Sequence, residues 1–288
     1  MRRWSKLIAL TLLLAPCVAH ATDRFFATSD GVRLHYTETG PSYEPTLVFV
    51  PGWSMPGWIF QRQIDFFSRD YHVVALDPRG QGQSEIPASG YEPYRRGSDI
   101  GDLIKALGGR QVVLIGWSLG VLDSLAYVHQ VGDGKLLGMV LIDNSVGEDP
   151  PPPAGPRVPR RTGPRLEREA AMARFVRGMF HRPQSEDYYD ALTETALRLP
   201  ADASAALLSY PVPRTFWRDA IYTVRKPILY IVTPRLSGQA ENLQARHPGV
   251  QSDVYQTAGH ALFIDEGNRF NAEMAAFLQA QIHTQGVQ

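Results

Sequence analysis

Gly116-Trp117-Ser118-Leu119-Gly120 reads G-x-S-x-G. Gln111 to Ile115 carries a strand pattern before it, and Val121 to Val128 carries a helical pattern after it. A serine on a sharp strand-to-helix turn is held in strained backbone geometry with its Oγ exposed at the sheet edge. The flanking glycines let neighbouring chain approach. The chemistry implied is nucleophilic. A serine hydroxyl is a weak nucleophile at neutral pH, so it needs a base within hydrogen-bond reach, and the base needs an orienting carboxylate. His260 has the position of the base, in a Gly-His turn after the last strand-like run. His35 and His72 fall within strands, His129 late in a helix, and His181 and His247 in polar segments.

The elements that must position these residues alternate. Phe25–Thr28 and Val32–Glu38 read as strands joined by a turn at Ser29-Asp30-Gly31. Continuous apolar runs at 46–50, 71–76, 138–142 and 227–232 have the character of strands buried on both faces. Helical patterns lie at 58–67, 99–107, 241–245 and 270–282, with a further strand at 250–255. This rhythm predicts an α/β fold, a mostly parallel twisted sheet with helices on both faces. Ligands of such sheets bind beyond the C-terminal strand ends, where Trp53, Ser118, Asp143 and His260 all fall. Between 146 and 220 the rhythm stops. Pro150-Pro151-Pro152-Pro153 opens an irregular connector, and helical patterns follow at 166–180, 185–199, 201–208 and 216–224. The expected organisation is a core at 22–145 and 221–288 with an inserted helical cap at 146–220.

Residues 1–21 stand apart. Arg2, Arg3 and Lys6 precede a short apolar run, Leu7 to Ala15, and Ala19-His20-Ala21 fits a cleavage site. This is the pattern of a secretory signal peptide, too short for an ordinary membrane span. It predicts a periplasmic or secreted chain beginning near Thr22, with no stable membrane span in the mature part. Cys17 is the only cysteine and leaves with the leader, so no disulfide is expected. The 29 basic and 29 acidic residues balance, which leaves no nucleic-acid footprint.

Pro51-Gly52-Trp53, Asp77 to Ser84, the pentapeptide at Ser118 and Gly259-His260 occur in an order and spacing that resembles the α/β-hydrolase superfamily, across nearly the whole mature sequence. The branch is similar to capped carboxylesterases, cofactor-free haloperoxidases and the pimeloyl-ester hydrolase of biotin synthesis. The resemblance implies an oxyanion hole made by the backbone N–H groups of Leu119 and Trp53. The superfamily usually has His-Gly before the second donor, where this chain has Pro51-Gly52. It usually carries the acid just past the strand at 228–232, where this chain reads Thr233 to Ala240 with no carboxylate. Asp143, Glu241 and a Ser-His dyad are the remaining readings of the acid; Asp143 is the one taken forward.

Asp123 and the Asp77–Ser84 turn read as structural. Phe175, Met179, Phe180, Tyr188, Tyr189, Phe216 and Trp217 read as cap core. The eight arginines and two glutamates between Arg157 and Arg182 read as a solvated face, with an anion attractor as the sharper reading. The function expected is cleavage of small-molecule carboxylic esters through an acyl-enzyme, without metal or cofactor. The alternatives are amide, lactone or carbon–carbon bond hydrolysis, or a catalytically silent binding protein.

Overall fold

The structure is a computed structural model and describes residues 21–43, 45–152 and 165–282. The expected leader, apart from Ala21, and the arginines at 157, 160 and 161 lie outside the described residues.

In chain order the strands are β1 (Thr22–Ala27), β2 (Arg33–Thr39), β3 (Thr46–Val50), β4 (His72–Asp77), β5 (Val112–Trp117), β6 (Leu136–Ile142), β7 (Ile228–Val232) and β8 (Val250–Val254). They form one sheet in the order β1-β2-β4-β3-β5-β6-β7-β8. β2 runs antiparallel to β1 and β4, and every other pairing is parallel. The mostly parallel sheet expected from the buried runs is therefore present. β3, β4, β5 and β7 are buried at every position, as strands covered on both faces must be.

The helices are α1 (Gln61–Phe67), α2 (Pro93–Ala106), α3 (Leu119–Val131), α4 (Arg165–Gly178), α5 (Glu186–Leu197), α6 (Ala201–Leu207), α7 (Thr215–Thr223), α8 (Ser237–Arg246), α9 (Leu262–Asp265) and α10 (Gly267–Phe277). Two differ most from expectation. α2 starts six residues earlier than the sequence pattern, because Pro93 occupies a first-turn position where its missing N–H costs nothing. α9, a single turn after His260, was not expected at all. Of the helices between β6 and β7, α7 packs on α3, and the boundary expected after Ala220 falls inside it.

The core lies in two apolar layers, one per face of the sheet. Val48, Val50, Leu114, Leu119, Leu122, Phe216 and Trp217 belong to one, and Leu47, Phe49, Phe60, Ile115, Trp117 and Phe263 to the other. Successive strand residues alternate between them, which is the period of two that a sheet imposes.

Candidate active site

Three non-glycine residues among those described have positive φ: Ser54 (58°), Ser118 (54°) and Asp143 (46°). All three follow strand C-termini at the same edge of the sheet. Backbone in this region is costly for residues with a Cβ and persists where surrounding structure holds it. At Ser118 the holding is tight. Its N–H donates to the Ile142 carbonyl at 2.9 Å, and the Asn144 side chain donates to the Ser118 carbonyl at 2.8 Å. A Cβ on Gly116 would lie 2.5 Å from the Gly120 carbonyl oxygen, and one on Gly120 would lie 2.1 Å from that of Val50. The pentapeptide's glycines are thus required by close backbone approach.

A hydrogen-bonded chain runs through the turn. His260 Nε2 is 2.8 Å from Ser118 Oγ, and His260 Nδ1 is 2.7 Å from Asp143 Oδ2. The residues come from β5–α3, the end of β6 and the loop after β8. Asp143 is almost fully buried, while the His260 side chain is 29% exposed, open enough to meet a substrate. Burial alone would raise the Asp143 carboxyl, but the His260 hydrogen bond and charge, with the Thr233 amide and hydroxyl, hold it below its ordinary value. Both Thr233 groups donate to Oδ1 at 2.8 Å. Thr233 thus occupies the end of β7, where the superfamily pattern places an acid, and there it supports the carboxylate of the neighbouring strand. Glu241 is exposed on α8.

The Leu119 and Trp53 amides stand beside Ser118, at the start of α3 and just past β3. Neither donates to a protein acceptor among the described residues. The first N–H groups of a helix have no intrahelical partner, which leaves Leu119 free to donate outward. A Cβ on Gly52 would come within 3.0 Å of the Ser118 Cβ, so the loop before Trp53 lies directly against the serine.

Side chains around the hydrogen-bonded chain hold both loops. Gln81 accepts from the Ser54 amide at 2.5 Å and donates to the Met55 carbonyl at 3.2 Å, so it grips the loop next to Trp53. The Trp53 indole donates to the Ser204 carbonyl on α6 at 2.8 Å and meets the Phe175 ring on α4 at 4.9 Å. Asp265 accepts three backbone N–H groups, from Gly259 (2.7 Å), His181 (2.8 Å) and Arg182 (2.9 Å). It ties the His260 turn to the segment after α4. The Trp117 indole donates to the His260 carbonyl at 2.8 Å.

The residues read as structural have structural partners. Asp123 is buried in an ion pair with Arg96 at 2.7 Å. Asp77 accepts from Gly57 and Gln83, both at 2.7 Å, and Arg79 is clamped by Asp99 at 2.6 Å. Of the aromatics read as cap core, Tyr189, Phe216 and Trp217 are buried, as is Met179, while Phe175, Phe180 and Tyr188 are partly so. Arg177 pairs with Glu186, and Arg168 donates to the Leu199 carbonyl, which is the behaviour of a solvated face. A cavity of about 1200 Å³ lies between α4, α5 and the Gly82–Gln83 turn, and neither Ser118 nor His260 lines it. Among the described residues no group of three or more His, Cys, Asp or Glu could hold a metal ion. No described helix is long and apolar enough to cross a membrane.

The model of a family described as "Alpha/beta hydrolase family" matches residues 47–273. A non-heme chloroperoxidase of Streptomyces lividans is 34% identical over 116 residues, which are 40% of this chain and 42% of that protein. The chain spans about two-fifths of the length of the curated relatives it matches. Among solved structures, an esterase from Rhodococcus sp. ECU1013 is similar with a TM-score of 0.79 and 25% identity, over 90% of this chain and 99% of that one. An aryl esterase structure from Burkholderia cenocepacia has the same TM-score at 24% identity, over 90% and 98% of the two chains, and shows a shared fold.

Proposed function

Because the chain belongs to the alpha/beta hydrolase family, we propose that it is a serine hydrolase that cleaves carboxylic esters through an acyl-enzyme. The observation that carries this reading is the unbroken run of hydrogen bonds from Asp143 through His260 to Ser118 Oγ. Ser118 Oγ attacks the ester carbonyl carbon as His260 Nε2 takes its proton. The carbonyl oxygen becomes an oxyanion held by the Leu119 and Trp53 amides. His260 then gives the proton to the departing alkoxide, which leaves as the alcohol. Water, deprotonated by the same nitrogen, attacks the acyl-serine and releases the acid. Asp143 keeps the Nδ1–H tautomer and stabilises the imidazolium. Similarity to proteins described as esterases supports the substrate class. The carboxylate on His260 supports an enzyme over a silent binding protein.

In this reading residues 146–220 form the cap, and its helices reach the oxyanion loop through the Phe175 and Ser204 contacts with Trp53. Residues 1–21 direct export to the periplasm or beyond and are removed. A chromogenic short-chain ester tests the proposal. The expected result is a burst of alcohol equal in amount to enzyme, followed by slower steady turnover. No product above the rate in buffer would overturn it.

A further inference from the structure

We infer that Gln81 is a positioning residue for the oxyanion hole: it locks the turn that aims the Trp53 amide. The role rests on the ester reading above. Met55 N–H donates to the Gly52 carbonyl at 3.2 Å, which closes a four-residue turn with Trp53 and Ser54 at its centre. Ser54 has a φ of 58°. Positive φ at the third residue is the mark of a type II turn, which favours glycine there. Flipping the Trp53–Ser54 peptide would give the type I form, which most residues adopt without cost. This chain has a serine at the costly position, so groups outside the turn must hold it.

Gln81 holds it with both ends of its amide. Its Oε1 accepts from Ser54 N–H at 2.5 Å, and its Nε2 donates to the Met55 carbonyl at 3.2 Å. The first bond exists only with the central peptide as it stands, since a flip would turn that N–H away. The second fixes which end of the amide faces Ser54. An amide rotated to donate to a flipped Trp53 carbonyl would set its own oxygen against that of Met55. Gln81 and Ser54 are both buried, and a buried polar group left unpaired is costly. The base of this clamp is itself fixed. Gln81 N–H donates to the Pro78 carbonyl at 2.8 Å, and the Gln81 carbonyl accepts from Ser84 N–H at 3.0 Å. On the other side of Trp53, Gly52 lies against Ser118. The Trp53 Cα joins the central peptide to the Gly52–Trp53 peptide, whose N–H is the oxyanion donor. The form of the turn therefore sets where that donor aims relative to Ser118. A misaimed donor weakens the transition state, where the oxyanion forms, and leaves binding of the uncharged carbonyl nearly as it was.

The test pairs a trifluoromethyl ketone with the methyl ketone of the same chain. The first adds to Ser118 Oγ as a hemiketal, its oxyanion entering the hole as His260 takes the serine proton. The second binds without adding. In Gln81→Met, kcat/KM for the matching ester and the affinity of the trifluoromethyl ketone should both fall by about tenfold to hundredfold, with the methyl ketone affinity nearly unchanged. Inhibition constants do not depend on the fraction of protein folded, so a purely structural role moves neither. Adding Ser54→Gly, which removes the cost of positive φ, should recover about threefold or more. Should Gln81→Met fail to fold, Gln81→Glu replaces it. That variant keeps the acceptor for Ser54 but sets a carboxylate against the Met55 carbonyl, so the same two quantities should fall. Equal loss for both ketones overturns the inference, as does a double variant no better than the single one. A wild type that neither cleaves the ester nor prefers the trifluoromethyl ketone overturns the ester reading and this role with it. A wild type that does both, matched by its Gln81 variant, overturns this role alone.

Discussion

Two histidines in this chain hold an aspartate at nearly the same distance through the same nitrogen. His260 Nδ1 lies 2.7 Å from Asp143 and His35 Nδ1 lies 2.8 Å from Asp77. The difference is at the other nitrogen. His260 Nε2 faces the Ser118 hydroxyl, and its side chain is 29% exposed. His35 Nε2 faces a second carboxylate, Asp23, at 2.9 Å, and its side chain is 2% exposed. Burial alone would lower the His35 imidazole, but its two carboxylates raise it above its ordinary value. An imidazolium that donates from both nitrogens has no lone pair left to accept a proton. A buried His–Asp pair becomes a base only when its far side meets a hydroxyl and a route to substrate. Otherwise it is a strand-to-strand tie, here between β1, β2 and β4.

The sharpest way to break this comparison is at the hydroxyl. Ser118→Ala should lower ester turnover by about 10⁵–10⁶, the scale found when the serine of a comparable hydrogen-bonded triad is removed. Its melting temperature should stay near wild type. Activity that survives would assign the chemistry elsewhere. Asp143→Asn keeps the shape but presents the wrong hydrogen-bonding group to Nδ1, and turnover of the same ester should fall by about 10²–10⁴. Glu241→Gln should leave it unchanged, and the reverse result would name Glu241 as the acid.

The other pair should respond in stability. Asp77→Asn replaces one of the two carboxylate oxygens that serve His35, Gly57 and Gln83 with an NH₂ donor, so urea unfolding should show a loss of about 1–3 kcal/mol. Turnover of the remaining folded protein should change little. The smallest effect expected is the contribution of exposed Asp23, visible only through pH. Because the folded His35 pKa is raised, its ion pairs stabilise fully below the unfolded value of about 6.5, and that contribution is lost as pH rises through the folded value. The melting-temperature gap between wild type and Asp23→Asn should therefore be widest near pH 6 and close at higher pH. A gap that widens with pH would mean His35 is neutral.

Much of the sheet was legible because buried parallel strands appear as unbroken apolar runs, as at 46–50 and 228–232. Ser118 and His260 were legible because short local patterns carry them. The support around them was not. Thr233 reads as a strand end, yet both its donors serve a carboxylate ninety residues away in sequence. Asp265 reads as one more acidic residue ahead of a helix, and its partners His181 and Arg182 come from the turn between α4 and α5, more than eighty residues earlier. Gln81 lies inside a Gly-rich turn whose pattern explains the turn but not its grip on Ser54. These contacts depend on which loops meet at the sheet edge, which no local periodicity encodes. The early start of α2 was hidden for a different reason, since its apolar stripe begins only at Ile100, about two turns after Pro93.

The central claim is that Ser118 is made nucleophilic by His260 and Asp143, while His35 and Asp77 only hold the fold. The most direct measurement is the rate of fluorophosphonate labelling, with the adduct mapped by peptide mass, in wild type, Asp143→Asn and Asp77→Asn at a temperature where all three are folded. The account predicts an adduct on Ser118, labelling slowed by about 10²-fold or more in Asp143→Asn, and a near wild-type rate in Asp77→Asn. An adduct on another residue, or Asp143→Asn labelling as fast as wild type, would contradict it.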